Sequence, residues 1–267
     1  MSVSTQIPNS YAIHYKHIAD AVSRGKVILF IGAGVSMESG VPSGWDLAQK
    51  LANEIGYQPE STDNLSTIAE YFDREMPGEL TDRLVEWIFD IAKPSPSHTL
   101  IPKFPWQAIY TTNFDDLIEQ GYLQAKARFE SILYNSQLRS LPDNVMPIIK
   151  IHGCLSWAYR RSSEAPIVLT DQQYEAFGPH REILVNRLRQ SMFEGNILLF
   201  IGYSLRDRFW QDLRTEVAGL LQQHTRSYYA VMPKFSVHAE KYWSARQVRL
   251  IPSTAELFLK ELSTLLP

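Results

Sequence analysis

Along this chain, runs of uninterrupted apolar residues alternate with segments whose apolar positions recur every three or four residues. The runs are KVILFI (26–31), AIYTTN (108–113), PIIKIHG (147–153), PIVLT (166–170), NILLFIGYS (196–204), SYYAVMP (227–233) and QVRLIP (247–252). Each is short, rich in Ile, Leu, Val and Phe, and bounded by polar or turn residues, which predicts strands buried on both faces. The helical spacings fall at 10–25, with Ser10 as cap and Gly25 as terminator, and at 206–224, 237–247 and 253–266. Strands alternating with amphipathic helices predict an α/β fold, a doubly wound, Rossmann-like parallel sheet.

One stretch breaks the alternation. From Trp45 to Pro105 no strand pattern occurs, but helical patterns do, at 44–56, 64–75, 79–93 and 97–104. The expected organisation is a single domain over 1–267, with a helical insertion module at 45–105 and a sheet core built from 27–44 and 106–267.

Composition narrows the activities. A chain of 267 residues, 45% hydrophobic and 21% charged, can bury a large core. A formal net charge of −3 without a dense basic run argues against nucleic acid or an anionic membrane as the main partner. No apolar run reaches membrane-spanning length, and the first residues lack a signal-peptide pattern, so the cytoplasm is expected. A lone cysteine, Cys154, excludes an internal disulfide and a four-cysteine zinc site. No metal is expected, because no His/Asp/Glu cluster has ligand spacing.

Candidate chemistry concentrates where the apolar runs end. Gly32-Ala33-Gly34-Val35-Ser36 follows the first strand, Thr112-Asn113-Phe114-Asp115 the second, His152-Gly153 the third, and Gly202-Tyr203-Ser204 a later one. In a parallel sheet all four loops emerge at the carboxyl ends of strands, where ligands of open α/β sheets bind. The glycines of the first loop read either as a tight turn or as room for a dinucleotide pyrophosphate against backbone N–H groups. His152 has the unperturbed pKa of a general base. Asn113 offers a donor and an acceptor for a water and a ribose hydroxyl, and also reads as a helix cap. Asp115 reads equally as a cap or as an acceptor for a carboxamide. Ser36 reads as a phosphate contact or a helix start, and Asp207 as a cap. The six tryptophans read as packing residues. A hydride-transferring dinucleotide enzyme is disfavoured, because Met37 stands where its fingerprint needs a third glycine and Glu54 lies in a helical pattern.

Together with Ser39-Gly40-Val41-Pro42 and the PSPSHTL segment around His98, these pieces resemble the sirtuin family over about 27–207. The resemblance implies an NAD site formed by Gly32, Ala33, Gly34, Ser36, Pro42, Thr112, Asp115, Gly202 and Ser204, with Asn113 and His152 catalytic. The chain lacks the paired-cysteine zinc module of sirtuin deacylases and departs from their pattern at Ser43-Gly44-Trp45, Thr112 and Tyr203. Those departures point away from acyl-lysine substrates. They resemble instead the sirtuin-like domains of bacterial antiphage defence systems, which implies an NAD+ glycohydrolase that depletes NAD. Two alternatives stay open, an NAD-dependent protein deacylase and a non-catalytic module sensing NAD or ADP-ribose. Control is expected from a homo-oligomer or a separately encoded partner such as an ATPase.

Overall fold

The structure, a computed structural model, describes residues 10–89, 93–160, 167–176, 178–220 and 228–266. Among the described residues seven strands form one sheet: β1 (Val27–Ile31), β2 (Ala108–Thr111), β3 (Phe129–Ile132), β4 (Met146–Lys150), β5 (Ile197–Ile201), β6 (Tyr228–Met232) and β7 (Val248–Pro252). Their spatial order is β3-β4-β2-β1-β5-β6-β7, and every pair is parallel. The chain moves outward from β1 to one side through β2 and to the other through β5. The crevice between β1 and β5 is therefore the point where strand order reverses.

Among the described residues, thirteen α-helical segments accompany the sheet. They are α1 (Ala12–Ser23), α2 (Ala33–Ser36), α3 (Gly44–Glu54), α4 (Leu65–Glu75), α5 (Leu80–Phe89), α6 (Pro96–Leu100), α7 (Leu117–Gln124), α8 (Leu155–Arg160), α9 (Asp171–Ala176), α10 (Gly178–Phe193), α11 (Arg208–Leu220), α12 (Val237–Ser244) and α13 (Ala255–Ser263). Alternation along β1 sorts the core into two layers. Val27, Leu29 and Ile31 pack with Tyr15 and Ile18 of α1, Tyr122 of α7 and Phe258 of α13. Ile28 and Phe30 face the other way, toward Leu184 and Leu188 of α10, Trp210 of α11 and Trp243 of α12. A third cluster lies within the helical segment after β1, where Leu47, Leu51, Ile68, Phe72 and Leu84 are closed off by Phe114 and Leu155.

Several expectations need correction. Helix α1 starts one residue later than a Ser10 cap would place it: Tyr11 is the cap position and makes no side-chain cap bond. The strand expected at 166–170 does not form over 167–170. There Val168 N donates to the His152 carbonyl at 2.9 Å, and Gln173 Oε1 accepts from the amides of Leu169 and Thr170, which makes the segment the entry to α9. Pro166 lies outside the described residues, as does Ser227 of the SYYAVMP run. Strand β3 and helices α8, α9 and α10 have no counterpart among the expected elements. Trp45 is 47% exposed and is not a packing residue. It sits in the first turn of α3, which Ser43 and Asp46 close with reciprocal bonds of 3.0 and 3.1 Å.

Candidate active site

Strand register sets the site. Ile31 of β1 pairs with Thr111 of β2 and with Ile201 of β5, and Thr111 pairs with Lys150 of β4. These four residues form one row at the carboxyl edge of the sheet. Gly32, Thr112, Ile151 and Gly202 each lie one step beyond it, and the loops that carry the candidate chemistry leave the sheet at one level.

At the β1–β5 crevice the backbone itself makes the contacts. Gly32 N donates to the Ile201 carbonyl at 3.0 Å and Gly34 N to the Gly202 carbonyl at 2.8 Å. A Cβ on Gly32 would lie 2.6 Å from the Gly202 carbonyl oxygen and from Tyr203 Cα, and one on Gly34 would lie 2.8 Å from the same oxygen. Gly202 itself has φ +64, and a Cβ there would lie 2.5 Å from Val35 N. The small residues of this loop thus let two chain segments touch. Two amides read as phosphate donors are engaged by protein carbonyls instead.

On the β2 side, side chains take over. Thr111 Oγ1 donates to the Ile31 carbonyl at 2.9 Å and accepts from Asn113 N at 3.0 Å. The Asn113 side chain is not the helix cap, since α7 begins at Leu117. Its Nδ2 donates to the Gly32 carbonyl at 3.2 Å and to Ser36 Oγ at 3.0 Å. A carbonyl only accepts, so this contact fixes which end of the amide is nitrogen. Asn113 Oδ1 is left buried with no hydrogen-bond partner among the described residues. Phe114 turns the opposite way into the helical cluster and anchors the loop.

Asp115 is buried, and Leu117 N donates to its Oδ1 at 3.1 Å, an Asx turn one residue ahead of the α7 cap position, Asp116, which makes no side-chain cap bond. Burial raises its pKa, against the nearby Lys150 cation, the Ser36 hydroxyl and the Leu117 amide. Lys150 is wholly buried; its Nζ donates to the Asp115 carbonyl and lies 3.2 Å from Glu119 Oε1. Burial pulls the pKa of this lysine down, but Cys154, Glu119 and Asp115 outweigh it and the net shift is upward. Ser131 Oγ of β3 completes the cluster by donating to Glu119 Oε1 at 2.9 Å.

His152 stands two residues past Lys150, as Asn113 stands two past Thr111. It is buried, with Nε2 3.0 Å from the Tyr174 hydroxyl of α9 and 4.0 Å from Asp207 Oδ1. Burial lowers its pKa; Asp207 opposes the shift and Arg181 adds to it. A neutral imidazole at neutral pH is a competent proton acceptor. Asp207 also caps α11, its Oδ1 accepting from Phe209 N at 3.0 Å.

Among the expected site residues, the structure joins Gly32, Ser36 and Asn113 by hydrogen bonds, sets Asp115 beside Ser36, and joins Gly34 to Gly202. Ala33 and Ser204 are exposed, Thr112 and Pro42 half-buried, and none of the four is hydrogen-bonded to Asn113 or His152 among the described residues. The 3-10 turn after α2 is tied to α6, because Ser95 and Ser97 both donate to Glu38 Oε2, at 3.1 and 2.6 Å. Tyr174, Lys150 and Glu119 escaped the sequence reading. A lysine inside the apolar run PIIKIHG was the available signal, since a buried cation demands a buried carboxylate. Among the described residues no group of three or more His, Cys, Asp or Glu could hold a metal ion, and no helix is long and apolar enough to cross a membrane.

A family model described as a SIR2-like domain matches residues 107–251. The NAD(+) hydrolase ThsA of Enterococcus faecium is 26% identical over 223 residues, covering 82% of this chain and 45% of that protein. The NAD(+) hydrolase ThsA of Bacillus cereus (strain MSX-D12) is 24% identical over 254 residues, 93% of this chain and 51% of that protein. Defense-associated sirtuin 2 of Bacillus subtilis is 25% identical over 211 residues, 77% of this chain and 20% of that protein. The chain spans about half the length, or less, of these relatives. A solved chain from work on the structural basis for the mechanism and regulation of Sir2 enzymes superposes with a TM-score of 0.56 at 16% identity, covering 94% of this chain and 96% of that one.

Proposed function

The chain belongs to the SIR2-like family, and on that premise we propose that it is an NAD+ glycohydrolase, releasing nicotinamide and ADP-ribose. The observation that carries the reading is the Asn113 amide. Its nitrogen end is held by Gly32 and Ser36, and its oxygen end is a buried acceptor without a partner among the described residues. A buried acceptor left unmade costs about 1–3 kcal/mol, a cost that a bound hydroxyl or water removes.

Cleavage of the bond between ribose C1′ and the pyridinium nitrogen sends the electron pair to nicotinamide, which leaves neutral. No acid is therefore needed at the leaving group. A water supplies the new C1′–O bond and gives up one proton, which His152 accepts. Asn113 orients the water and a ribose hydroxyl. Asp115, whose pKa burial raises, faces the carboxamide, while Ser36, Ala33, Thr112, Pro42, Gly202 and Ser204 line the dinucleotide; Gly32 and Gly34 shape the crevice. The helices at 45–105 form an inserted module that closes the nicotinamide side.

The relatives' names, NAD(+) hydrolase and defense-associated sirtuin, support NAD+ cleavage in a defence role; that it depletes NAD in the cytoplasm during antiphage defence, restrained by a homo-oligomer or a separately encoded regulatory partner, is part of our proposal. Purified protein, alone and with neighbouring gene products, incubated with NAD+ is expected to release nicotinamide and ADP-ribose in equal amounts. Loss of acetyl groups from a lysine peptide only when NAD+ is present would establish a deacylase instead. Tight NAD+ binding without nicotinamide release would establish a sensor.

A further inference from the structure

We propose that Tyr174 is a positioning residue for His152: with Asp207 it holds the proton on Nε2 and leaves Nδ1 as the bare nitrogen that takes the proton from water. The inference rests on the reading of His152 as the general base. A neutral imidazole carries one N–H, and whatever binds one nitrogen decides which it is. Among the described residues, the side-chain polar contacts of the ring are made at Nε2. The Tyr174 hydroxyl is 3.0 Å away and the Asp207 carboxylate 4.0 Å away. Nδ1 makes no hydrogen bond among the described residues.

A carboxylate beside Nε2 favours a proton there. The tyrosine oxygen accepts that N–H and turns its own proton toward Asp207, whose charge acts on both side chains. Burial and the acidic neighbours push the Tyr174 phenol far up, so it stays protonated and passes the carboxylate's influence on without ionising. The tyrosine ring meets the imidazole edge to face, with centroids 5.2 Å apart.

The placement of Tyr174 is enforced from outside. Asp171, the first residue of α9, accepts from Ser66 Oγ of α4 at 2.9 Å and from Arg208 of α11 at 3.2 Å. The Arg208 guanidinium also covers the Tyr174 ring at 5.6 Å. A short helix is thereby fastened to both the inserted helices and the sheet layer, with one residue reaching the histidine. The groups that face His152 are Tyr174 from α9, Asp207 from the turn before α11, Arg181 from α10 and the Phe114 ring from the β2 loop. Only Asp207 and Arg181 carry charge, and they act in opposite directions.

Tyr174→Phe removes the hydroxyl and keeps the ring. Its kcat is expected to fall about 10- to 100-fold, by analogy with the range for hydrogen-bond partners of metal-ligating histidines, with KM for NAD+ and melting temperature near the parent's. Without the acceptor for Nε2–H the imidazolium is less stable, so the acidic limb of kcat/KM moves to lower pH. Asp207→Asn is expected to move it the same way, a shift that a space-filling role would not produce. Nitrogen-15 NMR of histidine-labelled protein, with His152→Gln to assign the signal, reads the tautomer whether or not NAD+ turns over. Parent protein should show the proton on Nε2, and Tyr174→Phe a mixture. A proton on Nδ1 in the parent, an unchanged pH profile, or a Tyr174→Ala variant more active than the parent would each overturn the proposal, the last by making Tyr174 a plug. If the tautomer is as stated and no nicotinamide is released, the glycohydrolase reading fails while the geometry stands.

Discussion

The two sides of the row Ile31–Thr111–Lys150–Ile201 are built by opposite means. On the β1–β5 side, backbone meets backbone: glycine amides bond to the carbonyls of Ile201 and Gly202, and there is no room for a methyl group. On the β2–β4 side, side chains meet side chains, and polar atoms are left over, Asn113 Oδ1 and Glu119 Oε2 among them. On the first side the loop's glycine amides are taken up by backbone carbonyls, and on the second the side-chain acceptors that border the candidate chemistry stay open. Residues that look most like a ligand signature in the sequence can therefore serve the fold, while reactive capacity collects where hydrogen bonding is incomplete.

The largest effect should come from the β2–β4 side. His152→Ala and Asn113→Ala are each expected to lower nicotinamide release by at least about 100-fold, in the range of general-base and positioning losses, without a comparable change in circular dichroism or melting temperature. Parent-level turnover in either folded variant would dissolve the contrast between the two sides.

The β1–β5 side should answer in stability. Gly32→Ala forces a methyl against the Gly202 carbonyl and Tyr203 Cα, both backbone atoms that cannot yield cheaply. A loss of about 1–3 kcal/mol in denaturant unfolding is expected, the usual cost of overpacking, and Gly34→Ala should cost less because its nearest approach is 2.8 Å rather than 2.6 Å. If either variant melted with the parent and lost only NAD+ affinity, the glycines would belong to the ligand after all.

A subtler test uses acid. His98 of α6 is fully buried, and burial pushes its pKa down to about 4 from 6.5. The unfolded chain therefore binds this proton at a higher pH than the folded one does. The histidine's contribution is full above pH 6.5 and is lost as pH falls toward 4, at up to about 1.4 kcal/mol per pH unit. His98→Gln should flatten the pH dependence of unfolding over that window. An unchanged slope would show that other groups, His152 included, carry the acid sensitivity.

The apolar runs made most of this sheet legible from sequence, because central parallel strands are apolar without alternation. β3 was not, since FESI at the sheet edge is short and buries only Ile132 fully. Helix α10 hid its buried Leu184, Val185, Leu188 and Met192 among arginines, glutamine and asparagine. At the site, Asn113 and His152 could be read because they end apolar runs. Tyr174 could not, because its relation to His152 arises from the placement of α9 in space rather than from any spacing along the chain. The double use of Asp207, as cap and as neighbour of His152, was half legible: the cap is local and the contact is not. PIVLT misled for a physical reason. Its Ile167 and Leu169 are buried against the inserted helices, not in the sheet, and an apolar run does not say which surface will bury it.

The pairing of β1 with β5 brings together residues about 170 positions apart, Val27 with Ile197 and Ile31 with Ile201. On a ribosome, the glycine loop after β1 is made early but has nothing to close against until β5 has emerged, which happens only after roughly three-quarters of this sequence is synthesised. The crevice thus waits on a contact far along the chain, because closing so long a loop precedes any reward from the contact. An incomplete chain carries Asn113 and His152 without the crevice they border. Whatever reaction this surface performs, the topology withholds it from the nascent protein and delivers it with the finished sheet.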